Sequence, residues 1–252
     1  MIVISGSPAW SRTVDHIAAS LTGVQLIICT EQAGYVARLA TDGAGLILVD
    51  GDRADWRFWA TTPKASPATR RIPVVVVSGQ AEVRAEALRA GADVSLAPDM
   101  LGTELQVLIR NNAHRLSVEE AARLEAQCAE PLPARAREAI ERFNAGEYYA
   151  QHDLFEAQWM EESGPVRDLY RAILQVGVAY YQVKRSNRRG ALKMLLRSFQ
   201  WLNALPDTCQ GVDIRSLRAD ALRVREALDA LPEGDDLSAF DRSLLRPVRL
   251  ID

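Results

Sequence analysis

A change of hydrophobic period near the middle of the chain constrains the fold more than any other feature of this sequence. Before about residue 116, short runs of β-branched and aliphatic residues such as Ile2–Ile4, Leu46–Val49 and Ile72–Val77 alternate with helical stretches. Near-continuous apolar strands separated by helices are typical of a parallel sheet that is covered on both faces. The first part of the chain therefore predicts an α/β doubly wound domain with a five-stranded parallel sheet.

After Pro131 the strand pattern disappears and only helical periodicity remains. Five helical segments are predicted, at 134–145, 148–162, 165–186, 189–205 and 214–231. Short connections between amphipathic helices predict an all-α antiparallel bundle. We accordingly place the domains at 1–116 and 134–252. Residues 117–133 are predicted to form a helical extension and linker, into which the last helix of the first domain continues.

Charge, hydropathy and cysteine usage restrict the classes of function. The 252 residues carry 30 Lys and Arg against 33 Asp and Glu, which excludes a globally basic nucleic-acid binder. No apolar run reaches the roughly 20 residues that span a bilayer, and the first residues lack the basic region of a signal peptide, so no membrane association is expected. The three cysteines, Cys29, Cys128 and Cys209, lie far apart without metal-ligand spacing or an evident pairing. This usage fits a reducing cytoplasm.

Three segments of the first half resemble a known domain. LILVDG forms the end of the third predicted strand, IPVVVVSG forms the fourth, and ALRAGADVSLAP leads into the fifth. Over about residues 1–116 the chain resembles the CheY-like receiver domain of response regulators. The resemblance implies a phosphoacceptor position at Asp50, a hydroxyl side chain at the end of the fourth strand at Ser78, and a proline after the fifth strand at Pro98.

The other residues that this chemistry needs are missing. Phosphoryl transfer to a carboxylate requires a divalent cation that carboxylates hold in place. Receivers supply an acidic pair at the end of the first strand, where this chain reads Ile4-Ser5-Gly6-Ser7, and a lysine where it has Ala97. We therefore expect a pseudo-receiver, in which Asp50 is an inactive strand-end carboxylate that caps a turn with Asp52. Such a domain is expected to act by self-association or by contact with a protein partner.

The segment Asp55–Trp59 (DWRFW) follows the third strand, in what the sequence predicts to be a long loop. Aromatic residues and arginine are enriched in interface cores, so this segment is a candidate contact surface. In the alternative interpretation its rings fold back over the loop as a satellite hydrophobic cluster. The sequence leaves both interpretations open.

The helical half resembles a second family. The segments FNAGEYYAQHDLFEAQW, DLYRAILQVGVAYYQ and NRRGALKMLLRS follow one another between about residues 139 and 205. They resemble the DUF309 family, whose motif is His-x-x-x-Glu-x-x-Trp or Tyr, here His152, Glu156 and Trp159. The resemblance implies no established activity, although it makes metal binding a hypothesis.

Helical spacing brings the motif residues onto one face. His152 and Glu156 lie at i and i+4, and Trp159 follows on the same stripe. The imidazole and the carboxylate can supply two ligands to a divalent transition metal, with further carboxylates, water or a second subunit completing the site. Alternatively they form a buried hydrogen-bonded pair that Trp159 covers, or a catalytic acid–base pair for which the chain offers no obvious nucleophile.

Residues on the following helices extend this candidate. Gln175 on the third predicted helix and Arg197 on the fourth complete a candidate binding pocket with the motif residues. The basic stretch 184–190 between these helices is interpreted either as a solvated turn that complements a helix dipole or as an anion site at Gly190.

Two functional hypotheses follow. The first is a non-enzymatic signalling or adaptor protein that contacts other proteins through its degenerate receiver. The alternative is a metal-binding protein or metal-dependent enzyme that uses His152 and Glu156.

Overall fold

A computed structural model of the chain contains two compact units, residues 1–115 and 116–252. The structure describes residues 1–21, 24–112, 118–232 and 236–251, and the side chains of 110–112 and 118 are not among the described groups. The predicted continuation of the first domain's last helix, and the boundary predicted at residue 116, involve residues 113–117 and lie outside the described residues. Within the described parts of the chain, no helix is long and apolar enough to cross a membrane.

The first unit is a three-layer α/β domain. In chain order its elements are β1 (Ile2–Ser5), α1 (Ser11–Ala19), β2 (Leu26–Cys29), α2 (Tyr35–Thr41), β3 (Leu46–Asp50), α3 (Trp56–Ala65), β4 (Val74–Val77), α4 (Ala81–Arg89), β5 (Val94–Leu96), a 3₁₀ turn (Pro98–Met100) and α5 (Leu101–Asn112). All neighbouring strands pair in parallel, in the order β2-β1-β3-β4-β5. The predicted doubly wound five-stranded sheet is thus confirmed, and its topology fits a receiver-like or flavodoxin-like fold.

The alternation of side chains along each strand divides the core into two apolar layers. On β3, Ile47 and Val49 pack beneath α2, α3 and α4. Leu46 and Leu48 point the other way and pack beneath α1 and α5. Because both faces are covered, a central strand is apolar throughout, and this accounts for the unbroken hydrophobic runs in the sequence.

Helix α3 occupies the segment that the sequence analysis predicted to be a long loop. Aromatic and β-branched residues have modest helix propensity, and Pro63 lies inside the helix. The intrinsic propensities of these residues therefore do not predict α3. The buried positions Trp56, Trp59, Ala60 and Pro63 nevertheless have the i, i+3, i+4, i+7 spacing of a helix face. Trp56 and Trp59 are buried in the core. Of the two interpretations of this segment, the structure therefore favours the one in which the rings fold back onto the domain over the one in which they form a contact surface.

The second unit is helical, as predicted. Its helices are α6 (Val118–Cys128), α7 (Ala134–Asn144), α8 (Tyr148–Glu161), α9 (Arg167–Lys184), α10 (Arg188–Leu202) and α11 (Ile214–Asp229). A short antiparallel hairpin, β6 (Thr208–Cys209) and β7 (Val212–Asp213), precedes α11. With two residues in each strand, the hairpin is too short to produce a period in the sequence.

Contacts along α8 and α9 define their antiparallel register. Gln151 donates a hydrogen bond to the carbonyl of Leu174 at 3.5 Å, and the ring of Phe155 stacks on Tyr170. As the residue number rises along α8, that of the partner on α9 falls. The His-x-x-x-Glu-x-x-Trp stripe of α8 therefore runs alongside the first half of α9.

Two of the cysteines form a disulfide, which corrects the expectation that the cysteines are unpaired. Cys128 at the end of α6 is bonded to Cys209 in β6, across 81 residues of sequence. Sequence separation gives no indication of this pairing, because the fold of the helical unit returns the hairpin to α6. The cysteine-based argument for a reducing cytoplasm loses its support, since disulfides persist mainly in oxidising compartments.

Candidate functional sites

The carboxyl edge of the parallel sheet holds the residues that the receiver resemblance singles out. Asp50 ends β3 and Ser78 follows β4, and the parallel pairing of these strands brings both residues to one edge. The buried hydroxyl of Ser78 donates to Oδ1 of Asp52 at 2.6 Å rather than to Asp50. Asp50 instead accepts the backbone N–H of Asp52 at 3.2 Å and so caps the turn. The hydroxyl that a phosphoryl group would need is therefore engaged by a neighbouring carboxylate.

An arginine fills the space beside Gly6, where receivers have their acidic pair. A Cβ atom placed on Gly6 would lie 2.9 Å from Cδ of Arg53 and 3.4 Å from Cβ of Asp50. Gly6 also adopts a φ of 108°, which disfavours any residue with a side chain. Burial raises the pKa of Asp50, even though the hydrogen bond from Asp52 and the positive charge of Arg53 oppose the shift. The positive charge that acts on Asp50 here thus comes from Arg53 of the same chain.

Asp55 completes this cluster, and the sequence analysis treated it only as part of a loop. Its carboxylate accepts hydrogen bonds from Nε of Arg53 at 2.8 Å and from Nε1 of Trp59 at 2.9 Å. A third bond comes from Nε2 of Gln32 at 3.0 Å. These bonds, foremost the one from Arg53, hold the pKa of Asp55 well below its usual range. We call Asp50, Asp52, Arg53, Asp55 and Ser78 the edge cluster.

The motif helix α8 does not contain the buried His152–Glu156 pair of one sequence interpretation. His152 is one-third exposed, and its Nδ1 lies 3.2 Å from Oδ1 of Asp153. Glu156 is exposed to solvent, so the interpretation as a buried pair is wrong. Among the described residues, no group of three or more His, Cys, Asp or Glu side chains is arranged to hold a metal ion. Metal binding by His152 and Glu156 stays a prediction.

Trp159 instead belongs to a stack of aromatic rings and arginines. The guanidinium of Arg171 lies 4.3 Å from the ring centroid of Trp159 and 4.3 Å from that of Trp201. The guanidinium of Arg167 lies 5.3 Å from the Trp159 ring. Cation–π contacts of this kind tie α8, α9 and α10 together and fix the position of Arg171.

The remaining predicted pocket residues, Gln175 and Arg197, lie on the same two helices, α9 and α10. Arg167, Arg171 and Gln175 are spaced by four residues along α9, and Arg197 lies one turn before Trp201 on α10. The chain turns tightly from α9 into α10, and Arg171 contacts Trp201 near the far ends of these helices. This antiparallel arrangement puts Gln175 and Arg197 at the same level. We call Trp159, Arg167, Arg171, Gln175, Arg197 and Trp201 the arginine groove.

Several polar atoms of the arginine groove are buried without a hydrogen-bond partner. They are Nε1 of Trp159, Nε of Arg167, Oε1 of Gln175 and Nε of Arg197. Gln175 is the most buried of the four residues, with 9% of its surface exposed. An unpaired buried polar atom costs about 1–3 kcal/mol, and such atoms are uncommon in folded proteins. Gln175 and Arg197 were predicted from the sequence, whereas Arg167, Arg171 and Trp201 were not, although the four-residue spacing along α9 indicates that Arg167 and Arg171 share a helix face with Gln175.

The basic stretch 184–190 does not leave an open anion site at Gly190. The backbone N–H of Gly190 donates to Oδ1 of Asn187 at 2.8 Å, so the N-terminus of α10 is capped by the chain itself. Arg188 reaches the end of α11 and donates to the carbonyls of Leu228 at 2.9 Å and Pro232 at 3.0 Å. The stretch therefore joins two helix ends, and the prediction of an anion site there is wrong.

Comparison with known proteins identifies a family in the second unit alone. No curated protein matches the chain, and no receiver family is matched over the first unit. The family match covers residues 136–194, from α7 to the middle of α10, and includes His152, Glu156 and Trp159 as well as the three α9 positions of the arginine groove. Residues 136–194 of the helical unit thus match the model of the family described as Domain of unknown function (DUF309).

Proposed function

We propose that this protein is a non-enzymatic signalling or adaptor protein whose receiver-like unit works through protein contact and not through phosphorylation. The observation that carries the proposal is the edge cluster, in which the hydroxyl that phosphoryl chemistry would need is engaged by a carboxylate and an arginine fills the space beside Gly6. Ser78 is bonded to Asp52, and Arg53 is bonded to Asp55 beside the end of β1.

The energetic argument concerns what a phosphoryl group at Asp50 would disturb. Its added negative charge would face the carboxylates of Asp52 and Asp55, and Ser78 could bind it only after leaving Asp52. Breaking a hydrogen bond to a charged group costs about 1.5–3 kcal/mol. Gly6 supplies no carboxylate for a compensating divalent cation. The cluster therefore favours the unmodified state.

Exposed apolar residues on the elements around the edge strand β5 support the second half of the proposal, which is protein contact. Leu88 on α4, Met100 in the 3₁₀ turn and Val107 on α5 are 50%, 42% and 46% exposed. These residues belong to the elements that directly precede and follow β5, whose outer edge has no neighbour in the sheet. Exposed apolar side chains near an open strand edge are typical of contact surfaces. This surface replaces the segment Asp55–Trp59 as the candidate for self-association or partner binding.

Phosphorylation is tested by incubating the whole protein with acetyl phosphate and Mg²⁺ and measuring its intact mass. We expect no phosphoryl adduct, whereas a receiver with a complete acidic pair, treated in parallel, gains one. A stoichiometric adduct that disappears in Asp50→Asn would contradict the proposal.

Protein contact is tested by sedimentation velocity at micromolar concentration. We expect a self-associating wild type, weakened in Val107→Glu and unchanged in Ile28→Glu. Ile28 is the matched control because it is 45% exposed but lies on β2, at the opposite edge of the sheet. Equal loss of association in both variants would argue against a surface near β5.

A further inference from the structure

We propose that the arginine groove of the helical unit binds a small-molecule oxyanion, a phosphate or a carboxylate. The inference goes beyond the proposed function, because it concerns residues of α8, α9 and α10 and does not depend on whether Asp50 is phosphorylated.

Charge is the first argument. Arg167 and Arg171 both lie against Trp159, and Arg197 lies on α10 one turn before Trp201. Asp168 lies 3.5 Å from Nη1 of Arg171, and Glu156 is exposed one turn before Trp159. Arg167 and Arg197 add positive charge beyond the Arg171–Asp168 ion pair, and this charge favours an anionic ligand.

Unpaired buried groups are the second argument. Nε of Arg167 and Nε of Arg197 are buried donors without an acceptor in the protein. Gln175 is nine-tenths buried, and its Oε1 has no partner. Rotation of the amide by 180° exchanges Oε1 and Nε2, so Gln175 can donate to an oxyanion or accept from its hydroxyl group. Because these atoms are closed to solvent, an anion would reach them only as the surrounding side chains shift, and it would then supply the hydrogen bonds that they lack in the chain.

The aromatic rings are the third argument. A guanidinium stacked against aromatic rings keeps its N–H donors in its own plane, where they suit the paired oxygens of carboxylate or phosphate. Arg171 lies against both Trp159 and Trp201, so its orientation is set before any ligand arrives. Preorganised donors lose less conformational entropy on binding than mobile surface arginines do.

The test measures binding of inorganic phosphate and, separately, of succinate to the whole protein, by titration calorimetry and tryptophan fluorescence at constant ionic strength. We expect saturable binding of at least one anion, with a dissociation constant of about 1 mM or lower. The anion that binds more tightly identifies the ligand as a phosphate or a carboxylate compound.

Arg167→Gln and Arg197→Gln are expected to weaken binding at least about tenfold, because each removes a charge-assisted hydrogen bond. Arg189→Gln is the matched control, since Arg189 is exposed, lies on the same helix as Arg197 and is outside the groove. Binding in this variant should equal that of the wild type.

Gln175→Leu keeps all three positive charges and should weaken binding about threefold to tenfold, as expected for one lost hydrogen bond. If Arg167→Gln or Arg197→Gln loses its helical circular dichroism signal, and so fails to fold, the result for Gln175→Leu decides the test. The proposal is overturned if the wild type shows no saturable binding of either anion up to ~10 mM, or if Arg189→Gln weakens binding as much as the folded groove variants do. It is also overturned if Gln175→Leu binds like the wild type.

Discussion

An arginine lies against a tryptophan in both units of this protein, and the two pairs have very different surroundings. In the first unit the guanidinium of Arg53 lies 5.5 Å from the ring of Trp59, and both side chains donate to Asp55. In the second unit Arg171 and Arg167 lie against Trp159, and the ring nitrogen of Trp159 is buried without a partner. The same pair of residue types is satisfied within the chain in one place and left incomplete in the other.

The difference separates a structural cluster from a candidate binding site. In the edge cluster Asp52 accepts from Ser78 and Asp55 accepts from Arg53, so binding a ligand there would mean breaking bonds that already stabilise the fold. In the arginine groove several donors and acceptors carry a desolvation cost that a ligand would remove. The resemblance to a receiver predicts a functional site at the edge cluster. The unpaired hydrogen-bonding groups instead favour the arginine groove as the binding site.

The largest effect is expected from truncating the two tryptophans. Trp59→Ala removes a fully buried ring and its bond to Asp55, and should lower the free energy of unfolding of the first unit by about 3–5 kcal/mol. Trp159→Ala removes a partly buried ring whose nitrogen has no partner, and should destabilise the second unit by only about 1–2 kcal/mol. Hydrogen–deuterium exchange resolved to peptides of each unit measures both changes. Equal losses would remove the distinction between the two clusters.

A smaller effect with a defined pH dependence is expected for Ser78→Ala. The bond from Ser78 is the main cause of the lowered pKa of Asp52, and its loss should destabilise the first unit by about 1–2 kcal/mol at pH 7. A carboxyl pKa that is lower in the folded state stabilises the fold above the unfolded value of about 3.9, and this stabilisation is lost as the pH falls through the folded value. The difference from the wild type should therefore be constant between about pH 5 and 7 and shrink below about pH 4.

Urea unfolding at several pH values checks this prediction. Ser66→Ala is a suitable control, because Ser66 lies in the same unit and its hydroxyl contacts only local backbone. If the difference in free energy of unfolding between the wild type and Ser78→Ala grew as the pH fell, the prediction based on the Asp52–Ser78 bond would be wrong.

The smallest effect, and the only gain, is expected for Gln175→Leu without ligand. Replacing a buried amide that has an unpaired oxygen by an apolar side chain of similar size should raise the stability of the second unit by about 1 kcal/mol. The change in free energy of unfolding is measured by chemical denaturation of the whole protein, with hydrogen–deuterium exchange of peptides from α9 as the readout. A loss of more than about 1 kcal/mol would mean that the amide of Gln175 stabilises the fold.

Periodicity predicted the parts of the fold that depend on burial alone. The continuous apolar runs at β3 and β4 required a sheet covered on both faces, and the helical stripes after Pro131 required a bundle. Helix α3 was missed because Pro63 and the aromatic residues obscure its helical stripe. Hairpin β6–β7 was missed because two residues per strand leave no pattern.

The candidate sites were only partly accessible to sequence reasoning. His152, Glu156 and Trp159 are readable as one face of a helix, because their spacing is local. Their partners are not, since Arg171 and Trp201 are brought together by the packing of α9 against α10. A bond between His152 and Glu156 was one of three interpretations of the sequence, whereas in the structure His152 contacts Asp153 and Trp159 contacts arginines.

The amino-acid sequence by itself determined a two-part chain, a parallel α/β sheet, a helical bundle and a receiver-like edge without its acidic pair. Each of these depends on local periodicity or on which residue stands at one position. Only the tertiary structure decided that Cys128 bonds to Cys209, that Arg53 lies beside Gly6, and that buried donors in the arginine groove have no partner. The physical reason is that hydrogen-bond satisfaction and disulfide pairing depend on distances between residues far apart in the chain, and these distances are set only when the helices and strands pack.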